Sequence, residues 1–477
     1  MFELHHLTAL EQLDGLRRGE WSPRELAQHY LGRIARLNPE LGAFAEVTGE
    51  RALARADALL AEAERGGTPG RAAALWGLPV GDKDLARRAG VPTRFGSRAF
   101  ADFVPEESDA IVEHVDAAGA VSLGKTATPE FGFPSYTEPL AGPIARNPYD
   151  PSRGPGGSSG GAAVAVAAGL LPLAPGSDGG GSVRIPAAAT GLVGIKPSRG
   201  RVPAQSGLEA LAGLVVAGTL GRTVGDAALL LDALCEPPLR RATRAPHGAE
   251  EGAFLDAAVR GEGRYQLAVT LDSPWEGFTE LPVHPEARAA LELAIAEFSA
   301  MGHGVDEVAL PPAPEYAEAF RAVWKGGASG VPLTGEQLAE VEPLTRWLVG
   351  EGRRMPAGQL VAALGALAAF EARLIERLDP FDAVLTPTLA DTPRPIGWWD
   401  PEDAERNFAQ QVAYTPWTSM LNATGLPAIT LPVHVTPEGL PMGVQLIGRP
   451  GGERVLLALG AQLERRIRWQ LRHPPQW

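Results

Sequence analysis

Apolar positions along this chain follow two spacings. In some segments they recur every three to four residues, the spacing of one helical face. In others they form short unbroken runs bounded by glycine or proline, the mark of a buried strand. Ser22-Pro23-Arg24-Glu25 combines a capping box with proline at the first helical position, so a helix should start there. It should run to about Leu37 and stop at Asn38-Pro39. Helical spacing also predicts elements over 51–65, 108–118 with Ser108 as cap, 160–168, 224–234, 286–301, 358–378 and 454–467. Strands are predicted over 78–80, leading into Gly81-Asp82-Lys83-Asp84, and over 120–123, 384–385, 428–431 and 443–447. Residues 236–262 are charged and aperiodic and read as a surface excursion. Helices and strands interleave over the whole length, which predicts an α/β layered architecture. No linker separates the segments, so one domain spanning 1–477 is expected.

The bulk numbers agree with a folded chain. It has 477 residues, 45% of them hydrophobic, enough to bury a large core. The net charge of -14 argues against non-specific nucleic-acid binding. Cys235 is the sole cysteine and should be a small buried residue at a helix end. It excludes an intramolecular disulfide and a cysteine-based zinc site. The first fifteen residues carry acids and no long apolar core, unlike a signal peptide. Residues 154–177 lack charge, but they are mostly Gly, Ala and Ser with Pro172 and Pro175, unlike a bilayer span. A soluble, cytoplasmic chain is expected, with no membrane and no nucleic acid as partner.

Residues 154–184 read GPGGSSGGAAVAVAAGLLPLAPGSDGGGSVR. Gly156, Gly157, Gly160 and Gly161 surround Ser158-Ser159, and Gly179, Gly180 and Gly181 precede Ser182. Consecutive main-chain N–H groups in a glycine turn form a nest for negative charge. An oxyanion hole needs such donors, and a serine directly after them is placed to attack a carbonyl held there. Read alone, the same glycines serve equally as tight turns. A nucleophilic serine also needs a base. None of the nine histidines sits in a glycine-rich context. Lysine is scarce, with four among 43 Lys and Arg residues, and Lys83 follows an apolar run. A lysine base must be neutral. Lowering its pKa from about 10.4 to between 7 and 8 costs roughly 4 kcal/mol, which burial can supply. If the strand continues, Asp82 and Asp84 face away from Lys83. A buried Lys83–carboxylate pair is the competing reading.

These residues resemble the amidase signature family. The segment 156–187 is similar to its defining stretch. Around it stand GLPVGDKD (77–84), LGKTATPEFG (123–132), GLVGIKPSRGRV (191–202) and NATGLPAITLP (422–432). The resemblance covers 22–235 and 380–470 and leaves a variable middle. Motif order and spacing look most like amidases acting on nylon oligomers and related small amides. The resemblance implies a large mixed central sheet covered on both faces by helices. It also implies a Ser–cisSer–Lys triad: Ser182 as nucleophile, Ser158 after a cis peptide as proton relay, and Lys83 as base. The N–H groups of Gly179, Gly180, Gly181 and Ser182 would form the oxyanion hole. Ser159 and Asp178 would support the triad by hydrogen bonds and Arg184 would brace the glycine loop. An acyl-enzyme would form and be hydrolysed without metal or cofactor, the partner being a small-molecule amide. Two positions depart from the pattern. Gly179 stands where Thr, Ile or Ala is usual, and Ala127 replaces the commoner Asn, removing a polar group from the substrate cleft.

Other readings compete. Residues 119–126 fit the Walker A pattern, but the four central residues read as strand and prolines follow. Residues 156–160 fit the G-x-S-x-G elbow of α/β-hydrolase esterases, which would require a histidine such as His434. Within the family, the amidase-type component of glutamyl-tRNA amidotransferase is the runner-up; the residues after Val202 lack its serine-rich signature. A scaffold that only binds amides is a further reading. Cleft walls are expected from the loops near 310–345 and 390–420. Trp398, Trp399, Tyr414 and Trp417 could line the cleft or pack the core. The substrate and the oligomeric state are not legible, a homodimer being the common case.

Overall fold

The strands among the described residues fall into two sheets. A computed structural model describes residues 3–66, 73–202, 210–235 and 253–477. Among these, β1 (Phe44–Val47), β2 (Pro79–Lys83) and β3 (Val121–Thr126) form a three-stranded sheet in the order β1-β3-β2. The other strands are β4 (Leu173–Asp178), β5 (Val193–Lys196), β6 (Val216–Gly221), β7 (Gln266–Val269), β8 (Gly304–Glu307), β9 (Ala383–Pro387), β10 (Ala428–Val435) and β11 (Pro441–Gly448). They form one mixed sheet in the order β4-β6-β5-β10-β11-β9-β7-β8. β7 runs parallel to β8 and β9, and the remaining pairings in this sheet are antiparallel. The C-terminal hairpin β10–β11 inserts between β5 and β9, so it joins the early strands to those of the variable middle. Strands β4, β9 and β11 are buried almost throughout, as expected where helices cover both faces.

The helix Gly160–Ala167 is wholly buried and explains its own composition. A Cβ at Gly161 would lie 2.3 Å from Ala127 N and 2.5 Å from Ala43 O. Only small residues let this helix approach the backbone beside β1 and β3. That approach brings Ser158 and Ser159, just before it, beside β2 and β4, where the two sheets meet.

Several expectations are corrected here. The first long helix is Pro23–Leu41, capped by Ser22 and Glu25, and it continues past Pro39 to a left-handed Gly42. Pro39 lies in the last turn, where it costs the helix the hydrogen bond to the Ala35 carbonyl, and the helix ends two residues later. The helix Ala110–Ala117 is entered through Asp109, while Ser108 Oγ accepts the N–H of Ala89. β3 extends through Lys125, which is fully buried and bonded to Asp84 at 2.9 Å, so residues 119–126 are no phosphate loop. Part of the expected surface excursion is a helix, Ala253–Arg260, with Phe254 buried; residues 236–252 lie outside the described set. Cys235 ends its helix as expected and is half-buried.

Among the described residues, one helix, Ala357–Leu378, is long and apolar enough to cross a membrane by length and composition. Its Leu367, Phe370 and Leu374 are buried in the core shared with helix Tyr316–Ala328, the behaviour of an amphipathic core helix.

Candidate active site

Lys83 ends β2, and its amine meets three hydroxyls. Nζ lies 2.8 Å from Ser158 Oγ, 2.9 Å from Ser159 Oγ and 3.0 Å from Ser177 Oγ. The two flanking acids are engaged elsewhere. Asp82 pairs with Arg88 at 2.6 Å and Asp84 with Lys125. Lys83 makes no ion pair with any described residue and is 5% exposed. Burial lowers its pKa to about 7, against the pull of the Asp178 charge. A neutral amine offers two N–H donors and one lone pair, which matches three hydroxyl partners.

Ser177 and Asp178 are the last residues of β4, and the turn 179–182 follows. Asp178 is fully buried and organises that turn. Its Oδ1 accepts from Gly181 N at 2.8 Å and from Arg184 Nη2 at 2.8 Å. Its Oδ2 accepts from Val183 N at 3.1 Å and Arg184 Nε at 3.0 Å. Burial alone would raise this carboxyl's pKa, but Arg184, Lys196 and Asn422 hold it below the usual carboxylate range. Arg184 in turn donates to Thr418 O, Gln445 Oε1 and Asn422 Oδ1 at 2.6–2.9 Å. Asn422 returns its amide to the carbonyl of Asp178 at 2.7 Å, and Thr418 Oγ1 donates to Gly180 O at 2.6 Å. The glycine turn is thus fixed from both sides by buried polar groups, each with its partner.

Ser158 follows a cis peptide at Gly157–Ser158. A Cβ at Gly157 would lie 2.7 Å from the Tyr136 backbone, so glycine is required there. Thr128 Oγ1 holds the Ser158 carbonyl at 3.2 Å. Ser159 N donates to Ser182 O at 3.1 Å, which ties the two serine segments together. Ser182 Oγ makes no hydrogen bond to a described residue, Ser158 included. The Lys83–Ser158 link is formed, and the Ser158–Ser182 link is open.

The expected oxyanion donors divide. The N–H groups of Gly179, Gly180 and Ser182 have no partner among the described residues, whereas that of Gly181 is spent on Asp178. Gly181 is therefore corrected to a structural position. The Gly179 departure also gains a physical reason. A Cβ there would lie 3.1 Å from Val215 Cγ2 and 3.3 Å from the Trp324 ring, so glycine makes room for Trp324.

A cleft opens beside Ser182 and Gly180. Phe320 and Trp324, one turn apart on helix Tyr316–Ala328, form one wall, and Phe408, Val412 and Thr415 form another. These come from the two loop regions expected to supply cleft walls. Trp398, Trp399, Tyr414 and Trp417 do not line it. Trp399 stacks on Tyr136 at 4.6 Å and Trp417 donates to Leu271 O, so both are packing residues. Ala127 lines a separate cavity with Asp84 and Arg94, not this cleft. His434 is paired with Glu286 at 2.6 Å and reaches neither serine, which removes the α/β-hydrolase reading. Sequence reasoning missed Thr418 and Gln445, which carry no local motif, and gave no role to Ser177 inside the segment 156–187. Asn422 lay inside a quoted motif without a role.

One group among the described residues, Glu3, His5 and His29, clusters at metal-like spacing. It lies beside Arg33, which comes within 3.9 Å of Glu3, and it lines no part of the Ser182 cleft.

The chain is similar to known proteins along nearly its whole length. The family model described as amidase matches residues 25–457. The chain is 37% identical over 453 residues to AmiB2 of Mycobacterium tuberculosis, whose name provisionally makes it an amidase; the match covers 94% of each chain. It is 35% identical over 502 residues to a glutamyl-tRNA(Gln) amidotransferase component from Chloroflexus aggregans, covering 99% of each. Among solved structures, 6-aminohexanoate cyclic dimer hydrolase superposes with a TM-score of 0.87 at 29% identity, covering 99% of this chain and all of that one.

Proposed function

The chain belongs to the amidase signature family and is an amide-hydrolysing enzyme; from that premise we propose that it cleaves small carboxamides through a Ser182 acyl-enzyme. Neutral Lys83 takes the proton of Ser158, Ser158 takes that of Ser182, and Ser182 Oγ attacks the carbonyl carbon. The N–H groups of Gly179, Gly180 and Ser182 receive the oxyanion, each such donor being worth about 3–4 kcal/mol. As the tetrahedral adduct collapses, the C–N bond breaks and the amine leaves with the proton returned through Ser158. Water then repeats the sequence on the acyl-enzyme, releases the acid and restores Ser182. Asp178 and Arg184 hold the donors in place and touch no reacting atom.

The observation that carries this reading is the buried Lys83 amine, 2.8 Å from Ser158 Oγ and without a described carboxylate partner. A lysine so placed is available as a base near neutral pH. The Ser158–Ser182 link is open, and such links commonly tighten when substrate binds. Labelling with a fluorophosphonate, which reports an activated serine, tests the proposal. Ser182→Ala should abolish labelling and turnover while leaving the fold intact.

The full-length similarity to an amidotransferase component supports a second reading, ammonia release from glutamine within a complex. The cleft speaks against it. Free glutamine carries an ammonium and a carboxylate, and no described lysine, arginine, aspartate or glutamate lines the cleft to receive them. Glutamine hydrolysis appearing only with added partner proteins would favour that reading.

A further inference from the structure

An unbroken row of aromatic rings runs through the walls of the Ser182 cleft. Phe133, Trp324, Phe320, Trp275 and Phe408 follow one another with ring centroids 5.4–6.2 Å apart. No charged side chain among the described residues lines the cleft. A charged group placed there would lose its hydration with nothing to replace it.

The cleft also has a direction. Its lining includes Gly180 and Ser182 but neither Lys83 nor Ser158. The leaving amine must lie toward Ser158, which returns its proton. The group on the other side of the carbonyl, the acyl group, then points away from Ser158 into the aromatic cleft.

Counting hydrogens around Ser419 leaves one donor over. Ser419 lines it, and its Oγ accepts from Trp275 Nε1 at 2.9 Å and shares a hydrogen bond with Tyr316 OH at 3.0 Å. Trp275 can only donate. Ser419 and Tyr316 have two hydroxyl protons for their one shared bond. Tyr316 is wholly buried and has no other described partner, so a spare proton there would be a stranded donor. The arrangement that strands nothing has Tyr316 donating to Ser419. The Ser419 proton is then free to point into the cleft, its direction set by the two bonds that Oγ accepts.

We infer that this cleft is the acyl subsite for an uncharged aromatic acyl group bearing a hydrogen-bond acceptor, and that the Ser419 hydroxyl is the donor that receives it. The inference rests on the Ser182 chemistry proposed above.

The test is a set of p-nitroanilides sharing one leaving group, hydrolysed by the full chain. The acyl groups are 3-phenylpropanoyl, its 2-, 3- and 4-methoxy derivatives, and succinyl. The expected kcat/KM for 3-phenylpropanoyl exceeds that for succinyl by about 100-fold or more. At least one methoxy isomer should exceed the unsubstituted compound by about five-fold, the range of one net hydrogen bond. In Ser419→Ala that ratio should fall to about one, whatever happens to the absolute rates. Reading a ratio removes the effect of any loss of folded protein, and the wild-type ratios test the inference even if the variant does not fold. Succinyl turnover equal to phenylpropanoyl turnover would overturn the uncharged aromatic class. A methoxy advantage absent from the wild type, or surviving in Ser419→Ala, would overturn the role of Ser419. Failure of the underlying amidase reading looks different: no nitroaniline from any compound and no fluorophosphonate label on Ser182.

Discussion

Asp178 and Arg184 form a wholly buried ion pair, Oδ1 to Nη2 2.8 Å, across the turn that carries Ser182. Removing either partner leaves the other buried and uncompensated. Asp178→Asn or Arg184→Gln should each destabilise the protein by about 3–5 kcal/mol. Urea unfolding of the two variants and of the double variant checks this. Because one pair is broken in every case, the double loss should be well below the sum of the singles. Additive losses would mean that the two side chains act independently.

The pH dependence of kcat/KM follows from Lys83. Only the neutral amine accepts a proton, and burial brings its pKa to about 7. Activity should therefore rise with pH, about tenfold per unit below that midpoint, and level off above it. A rate profile between pH 5 and 9 on an uncharged anilide measures this. A profile that falls with rising pH across this range would assign the essential group to a protonated acid.

Gly179 and Trp324 should be coupled. Gly179→Ala brings a methyl to 3.3 Å from the Trp324 ring and 3.1 Å from Val215. The expected effect is a rise in KM for bulky acyl groups of roughly tenfold, with less change for acetyl. Trp324→Ala in the Gly179→Ala background should relieve the crowding. Steady-state kinetics on the two acyl sizes separates this from a general loss of activity.

Ser158 and Ser177 both touch Lys83 but should not contribute equally. Ser158→Ala removes the relay, and kcat should fall about 10²–10⁴-fold. Ser177→Ala removes one hydrogen bond to the amine, and the loss should be nearer tenfold. Equal losses would contradict a relay specific to Ser158.

Legibility in the sequence tracked local chemistry. The strand ending at Lys83, the glycine turn at 179–182 and the capped helix from Pro23 each announce themselves through spacing or special residues. The rarity of lysine was informative: Lys83, Lys125 and Lys196 are all buried. What stayed hidden depends on distant partners. Asn422, Thr418 and Gln445 reach Arg184 from more than 230 residues away, and nothing near them in sequence says so. The free or spent state of the Gly181 N–H depends on which carboxylate the turn closes over. The tryptophans at 398, 399 and 417 have the composition of cleft lining, yet Trp399 and Trp417 are core and Trp398 packs half-buried against that core. Phe320 and Trp324 show the converse, since an i, i+4 aromatic pair on an amphipathic helix reads as core until the facing wall is known.

The role of Lys83 as the base is read most cleanly from the pH dependence of fluorophosphonate labelling at Ser182, in the wild type and in Lys83→Ala. Labelling reports the nucleophile without substrate binding or product release. The wild-type labelling rate should climb through a midpoint near 7, and Lys83→Ala should label orders of magnitude more slowly without that midpoint. Equal labelling rates in the two proteins at neutral pH would show that Ser182 draws its reactivity from something other than the Lys83 amine.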